Sequence, residues 1–432
     1  MKIISRDIVI PNSKIQNPTE LFRYYAKEIK KEFPSHVPIR FVVTSIDEEK
    51  SRCEIDLIEC DSQDQSAEFS NGSIFDFTKR TYEDSSEFVA VLMIPTGIGA
   101  EIGGHCGDGN VAARLLASTC DVLITHPNVV NASDINEMTE NTLYVEGSIL
   151  TRFLMGSIGL QPTRSNRVLL LMDKSGDRYF NNEVVNAVSS ARVTLGVDCD
   201  VLEIENPAES EPGFTVSGRA AGSVKYAERL FDVIRSHGDE YDAIGLSTIV
   251  DLSNDHDRDY FMTTEEVVNP WGGIEAMITH SVAEIFKKPC AHSPLSGSLG
   301  KKHVDMGLGV VDPRKAPETA SITYLHCILK GLHRSPRITC REKGINVDKV
   351  SCLVVPDGCV GLPVLACMEN GIPVIAVKNK NRMKNDLRRL PFRDGKLFFA
   401  ENYVEAAGIM SAIKAGVSLD SLRRPINKTK VL

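Results

Sequence analysis

Residues 88–127 read FVAVLMIPTGIGAEIGGHCGDGNVAARLLASTCDVLITHP, and this stretch decides the fold class. FVAVLMIP is a continuous apolar run of strand length, the pattern of a strand covered on both faces. A glycine-rich loop follows, then a helix over 110–118 and a second apolar strand over 121–125. Strand, loop, helix and strand at that spacing make one unit of a parallel sheet. The alternation returns after Arg167, with strands at 167–173, 200–205, 242–250, 352–356 and 373–377. Helices at 181–195, 220–236, 273–287, 317–332 and 362–370 fall between or beside them. The pattern predicts an α/β protein with doubly wound, largely parallel sheets. The start of the chain differs. Strands at 3–10, 39–46 and 53–58 and an amphipathic helix at 18–33, capped by Asn17, predict a small α+β module. The polar run DSQDQSAEFSNG at 61–72 is the linker. The division predicted is therefore 1–72 for the α+β module, 73–165 for the glycine-rich-loop α/β segment, and 166–432 for a doubly wound domain.

The chain has 432 residues, with 49 Lys and Arg against 58 Asp and Glu and a formal net charge of -9. That mild acidity, without a basic block, argues against nucleic acid and membrane surfaces as partners. Glycine and proline contents are ordinary, which excludes collagen-like and disordered classes. The opening MKIISRDIVIP lacks the apolar stretch of a secretory signal. Eleven cysteines without a C-x-x-C pair predict reduced thiols and a cytoplasmic location. Ten histidines form no H-E-x-x-H, so no metal site is predicted.

In parallel sheets, ligands bind beyond the carboxyl ends of the strands. Three segments there carry unusual residues. In the first, Thr96, Gly97, Gly99, Gly103, Gly104, Gly107 and Gly109, with Asp108 and Asn110, form a loop whose bare N–H groups suit an anion. It matches neither the G-x-x-x-x-G-K-[ST] loop nor G-x-G-x-x-G. Cys106 stands just before a helix, where a thiolate is favoured. The second segment offers His126, Asn128, Asn131, Ser133 and Asp134 to a ligand; the alternative is caps and turns. Glu146 follows as an acid/base candidate or as the start of a helix. The third segment, PDGCVGLP at 356–363, offers Asp357 and Cys359, alternatively turn and packing residues. His105 and His126 are general acid/base candidates, because imidazole titrates near working pH. The polar loop at 291–303 either closes over an anionic ligand or is solvated, and NPWGGIEA at 269–276 reads as a packing corner.

Cys106-Gly107-Asp108-Gly109 is similar to the Cys-Gly-x-Gly element of diaminopimelate-epimerase-like and proline-racemase-like enzymes. PDGCVGLP followed by GIPVIAV resembles half of the aspartate/glutamate racemase group, in which a thiol at a strand end moves the α-proton. Those resemblances imply Cys106 and Cys359 as catalytic thiols. The longer run IPTGIGAEIGGHCGDGNVAARLLASTCDVLITHPNVVNASDINEM, with LYVEGSILTRFLMG and VVPDGCVGLPVLACMENGIPVIAV, resembles an uncharacterised bacterial and algal family known as domain of unknown function 3326. The similarity runs from about residue 85 to the end of that last strand and implies no activity. His105 and Asp108 fit that family's pattern, whereas the position of Cys106 often holds a small non-thiol residue.

Together these readings predict an enzyme that acts by proton transfer on a carboxylate-bearing metabolite, as an isomerase, racemase or lyase. Its partner is a small anionic metabolite on the 97–110 loop, and no cofactor is required. The alternatives are a nucleotide- or phosphosugar-binding transferase, with Mg on Asp108 or Asp134, and a non-catalytic metabolite sensor. A homo-oligomer stays open.

Overall fold

The computed structural model describes residues 1–12, 18–62, 69, 72–176, 178–250, 260–263, 267–294, 309–319, 323–429 and 431. The cap expected at Asn17, most of the linker at 61–72 and most of the loop at 291–303 lie outside the described residues.

Along the chain, β1 (Lys2–Pro11), α1 (Pro18–Glu32), β2 (His36–Ile46) and β3 (Lys50–Glu59) build the amino-terminal module. β3 is flanked by antiparallel β1 and β2. Next come β4 (Val89–Leu92), α2 (Asn110–Ala117), β5 (Val122–Thr125), β6 (Thr142–Tyr144) and α3 (Gly147–Leu154). Every residue of β4 is buried, as its unbroken apolar sequence requires. A short ribbon strand β7 (Gly159–Gln161) leads to β8 (Arg167–Asp173), α4 (Arg178–Leu195) and β9 (Asp198–Ile204). Then follow β10 (Glu209–Phe214), β11 (Ala220–Lys225), α5 (Ala227–His237), β12 (Ala243–Ser247), α6 (Trp271–Phe286) and β13 (Cys290–His292). The remainder is α7 (Leu325–Arg334), β14 (Arg337–Thr339), β15 (Val350–Pro356), β16 (Val360–Gly361), α8 (Leu362–Asn370), β17 (Val374–Val377), β18 (Leu397–Ala400) and α9 (Tyr403–Lys414).

The chain is an α/β protein with two parallel sheets. One has six strands in the order β18-β17-β15-β4-β5-β6, and the other has four in the order β13-β12-β8-β9. The division read from the sequence separates strands that share a sheet. β4, β5 and β6 from 73–165 pair with β15, β17 and β18 from the end of the chain. Likewise the amino-terminal sheet runs β10-β11-β1-β3-β2-β16 and recruits strands from beyond residue 200. Strand partners distant in sequence leave no local periodicity, so composition placed the boundaries wrongly.

Two helices expected from the sequence also change. At 220–236 the first six residues are strand β11, and helix α5 begins after Tyr226, whose φ is 57°. Alanine is a strong helix former, but intrinsic propensity is a weak determinant, and here strand pairing with β1 and β10 overrides it. At 317–332 the helix is broken. A short turn of helix covers Ala316–Thr319, and α7 starts after Tyr324, whose φ is 51°.

The two parallel sheets set the site. β4, β5 and β6 of one, and β12 and β13 of the other, bring their carboxyl-end loops to one cavity, with α6 along its side. That is the placement expected for ligands in open parallel sheets.

Candidate functional site

The cavity encloses about 140 Å³. Of the candidates read from the sequence, Thr96, Gly97, Gly104, His105, Cys106, His126, Asn128, Asn131, Ser133 and Glu146 line it. Gly99, Gly103, Gly107, Asp108, Gly109, Asn110, Asp134 and Asp357 do not, and Cys359 lines a second, adjoining cavity. Cys106 and Cys359 therefore line different, adjoining cavities.

Four N–H groups of the glycine-rich loop are engaged within the protein: Gly103 and His105 donate to Asp108 Oδ1 at 2.7 and 3.4 Å, Ile102 to Asn379 Oδ1 at 3.2 Å, and Cys106 to Glu318 Oε1 at 2.9 Å. Two of its glycines also serve close packing. A Cβ on Gly104 would sit 2.0 Å from the Ala100 carbonyl oxygen. Gly107, at φ 82°, would place one 2.1 Å from the Ala132 methyl. Asp108 thus ties the loop together through Oδ1, and it does not line the cavity. Asp134, the other proposed magnesium ligand, stands 3.7 Å from His326 Nδ1, outside the cavity. The described residues hold no cluster of three or more His, Cys, Asp or Glu side chains suited to a metal ion.

Asn128 donates to the carbonyls of Ile94 and Gly103, at 2.8 and 3.0 Å, and so fastens the loop to the end of β5. Asn131 Oδ1 accepts from the Tyr144 hydroxyl at 2.8 Å. The Cys106 thiol donates to the Asn131 carbonyl at 3.2 Å, and burial first, then Glu318, holds its pKa well above the ordinary value. No thiolate forms there at neutral pH, contrary to the sequence expectation. Burial also pushes the Cys359 thiol up.

Burial lowers both His105 and His126 to about 4, so each ring is neutral near pH 7 and carries a single proton. His126 Nε2 accepts from the Ile94 N–H at 3.1 Å, which leaves Nδ1–H as a donor. His105 Nδ1 lies 2.6 Å from the Tyr260 hydroxyl. That hydroxyl donates to Glu318 Oε1 at 3.0 Å, so Nδ1 carries the proton toward Tyr260 and Nε2 remains as an acceptor.

Three carboxyl groups line the same cavity. Glu146 starts a helix, one of the two readings made of it, and also lines the cavity. Its Oε2 caps α3 through the N–H groups of Ser148 and Ile149, at 2.8 and 3.2 Å, while Oε1 lies 3.2 Å from His280 Nε2. Burial raises its pKa to about 7. The sequence reading missed Glu275 and Glu318. Glu318 Oε1 accepts from three donors: the Cys106 N–H, the Tyr260 hydroxyl and Asn269 Nδ2 at 3.1 Å. Burial nonetheless raises its pKa to about 7. Glu275 has no hydrogen-bond partner among the described residues and faces His292 Nδ1 at 3.8 Å. Burial, then the charge of Glu318, raises it to about 8.

α6 supplies Glu275, Thr279 and His280 from one face of a largely buried helix. Polar residues four and five apart in that otherwise apolar sequence were the available signal. The segment read as a packing corner, 269–276, is in fact cavity wall through Asn269, Trp271, Gly272, Glu275 and Ala276. Tyr260 and Glu318 arrive from segments with no such pattern. No lysine or arginine lines the cavity among the described residues.

The family model described as a protein of unknown function (DUF3326) matches residues 89–423. A curated relative, an uncharacterised lipoprotein of Synechococcus sp., is 31% identical over 338 residues, which cover 76% of this chain and 91% of the relative. That relative overturns the cytoplasmic location expected from the sequence, since it is described as a lipoprotein. Among the described residues no helix is long and apolar enough to cross a membrane. No solved structure matches the chain at a significant level.

Proposed function

The chain belongs to the DUF3326 family, whose function is unknown, and we propose that its cavity is the active site of a proton-transfer enzyme, an isomerase or lyase. One observation carries this reading: two buried carboxyls, Glu275 and Glu318, face one cavity with unequal hydrogen bonding. Three donors on Oε1 favour the ionised form of Glu318, while Glu275 has none and keeps its proton to higher pH. Near pH 7.5 one carboxylate and one carboxylic acid therefore coexist. Environments that push two acids apart in this way assign base and acid roles.

Glu318 takes a proton from a substrate carbon. Glu275 gives its own proton to the substrate oxygen, which either leaves as water, in a lyase, or stays as an enol hydroxyl, in an isomerase. His126 Nδ1–H and His105 Nε2, one donor and one acceptor, orient hydroxyl or carbonyl groups. The substrate is a small carboxylate-bearing metabolite with a hydroxyl or amine beside the reacting carbon. The polar cavity receives that hydroxyl or amine end. The fold reading that accompanies it is a doubly wound six-stranded sheet. In support, α2 packs on α9 and α3 packs on α8, as two helical layers.

The test is incubation in D2O with a panel of hydroxy- and amino-carboxylates, with deuterium at carbon read by NMR. The wild type exchanges a member of the panel, with a pH profile rising near 7 and falling near 8, and Glu318→Gln abolishes exchange. Exchange that survives both Glu318→Gln and Glu275→Gln places the chemistry elsewhere.

A further inference from the structure

The second cavity, of about 110 Å³, abuts the first. Thr96, His126, Gly147, Ala276 and His280 line both. Its character is different: Phe41, Ile74, Met93, Val355, Leu362 and Val364 give it apolar walls. At 110 Å³ it is somewhat smaller than the roughly 150 Å³ apolar cavity that admits benzene, so it suits a short aliphatic chain.

Two arginines also reach it, Arg40 and Arg219. Arg219 is fully engaged: Nε donates to Glu54 at 2.7 Å, Nη2 to Asp56 Oδ1 at 3.0 Å, and Nη1 to the Ala220 carbonyl at 2.9 Å. Arg40 is not. Its Nη1 is buried without a hydrogen-bond partner, and its ion-pair partner, Asp56 Oδ2, stands 3.7 Å away, beyond hydrogen-bonding distance. A largely buried guanidinium with an unsatisfied donor is costly unless something accepts from it. Arg219 makes short bonds to both Glu54 and Asp56, and Arg40 supplies the second positive charge that balances them, while its Nη1 donor and Asp56 Oδ2 both stay without a hydrogen-bond partner. A guanidinium's planar fork matches a carboxylate.

We propose that the second cavity seats the carboxylate of the substrate on Arg40 and its aliphatic chain against the apolar walls, so that the far end passes His126 and His280 into the polar cavity. This rests on the reading of the polar cavity as a proton-transfer site, and it names the substrate class: an aliphatic monocarboxylate, functionalised with hydroxyl or amine at the end remote from the acid. It also explains how a cavity lined by three glutamates serves an anionic metabolite, because the charge is bound next door.

The probes are straight-chain carboxylates from acetate to octanoate and the matching 1-alkanols, titrated calorimetrically into the full-length protein. Affinity for the carboxylates rises about fourfold per methylene until the chamber is full. Hexanoate binds at least about tenfold tighter than 1-hexanol, as a charge-assisted bond provides. Arg40→Gln erases that preference, whereas Glu318→Gln leaves hexanoate binding unchanged. If Arg40→Gln does not fold, Val364→Phe serves: by filling the chamber it weakens hexanoate at least about tenfold and leaves acetate alone. Equal binding of hexanoate and 1-hexanol to the wild type, or hexanoate binding untouched by Arg40→Gln or Val364→Phe, overturns the proposal. Absence of hexanoate binding with Glu318-dependent exchange intact removes the carboxylate seat alone. Hexanoate binding without any exchange removes the proton-transfer reading alone.

Discussion

Replacing Glu275 by Gln changes the pH dependence of stability in a direction and amount that follow from its surroundings. The side chain is buried except for the part open to the cavity, and burial and Glu318 raise its pKa from 4.5 to about 8. A group whose pKa rises on folding contributes stability that is complete below its unfolded value. That contribution is lost as pH climbs through the folded value. For Glu275 the window opens near pH 4.5 and closes just above pH 8. At about 1.4 kcal/mol per pH unit, the wild type loses ~4 kcal/mol through this group between pH 5 and pH 9. Glutamine has the same shape and no proton to lose, so Glu275→Gln escapes that loss. Urea denaturation of both proteins at pH 5, 7 and 9 reads the effect. The variant gains on the wild type by ~4 kcal/mol from the lowest pH to the highest. A difference between the two proteins that stays within about 0.5 kcal/mol across the range means that Glu275 is not held protonated, and its role as the acid falls.

Three further outcomes are expected. Arg219→Met leaves Glu54 and Asp56 buried without their main partner, which costs about 3–5 kcal/mol in a denaturant titration; a loss below about 1 kcal/mol contradicts the network. Gly104→Ala forces a methyl against the Ala100 carbonyl and destabilises the protein by about 1–3 kcal/mol, and an unchanged melting temperature shows that the loop is looser than described. Mass-spectrometric mapping with iodoacetamide at pH 7.5 labels exposed Cys340 well before Cys106, and Cys106→Ser keeps exchange within a few-fold of wild type. Rapid labelling of Cys106 restores the thiol reading.

How far the sequence reveals the molecule depends on how local each signal is. β4 is legible because VAVL is buried on both faces and reads so by itself. The loops at 95–106 and 126–133 are legible as site because they follow such strands. β11 is not, since its alanines acquire strand geometry only from partners more than 200 residues earlier in β1 and from β10. The chemistry of the site is hidden for a related reason. His105 and His126 carry the right functional group, but burial, which no sequence states, keeps their rings neutral. The same burial raises the pKa of both Glu275 and Glu318. Glu318 is recognisable only once Cys106, Tyr260 and Asn269 have converged on it from three separate segments. Glu146 shows the mixed case, in which a helix cap and a cavity acid are one residue.

The central claim is that one cavity holds a carboxylic acid and a carboxylate together near neutral pH. The most direct measurement is a titration from pH 4 to pH 10 of protein labelled with ¹³C at the glutamate carboxyls, followed by NMR and assigned with Glu275→Gln and Glu318→Gln. The account predicts a carboxyl signal titrating near 7 that disappears in Glu318→Gln, and one near 8 that disappears in Glu275→Gln. It also predicts that removing Glu318 lowers the value for Glu275, because the Glu318 charge helps to raise it. Titration of both carboxyls below pH 5 contradicts it.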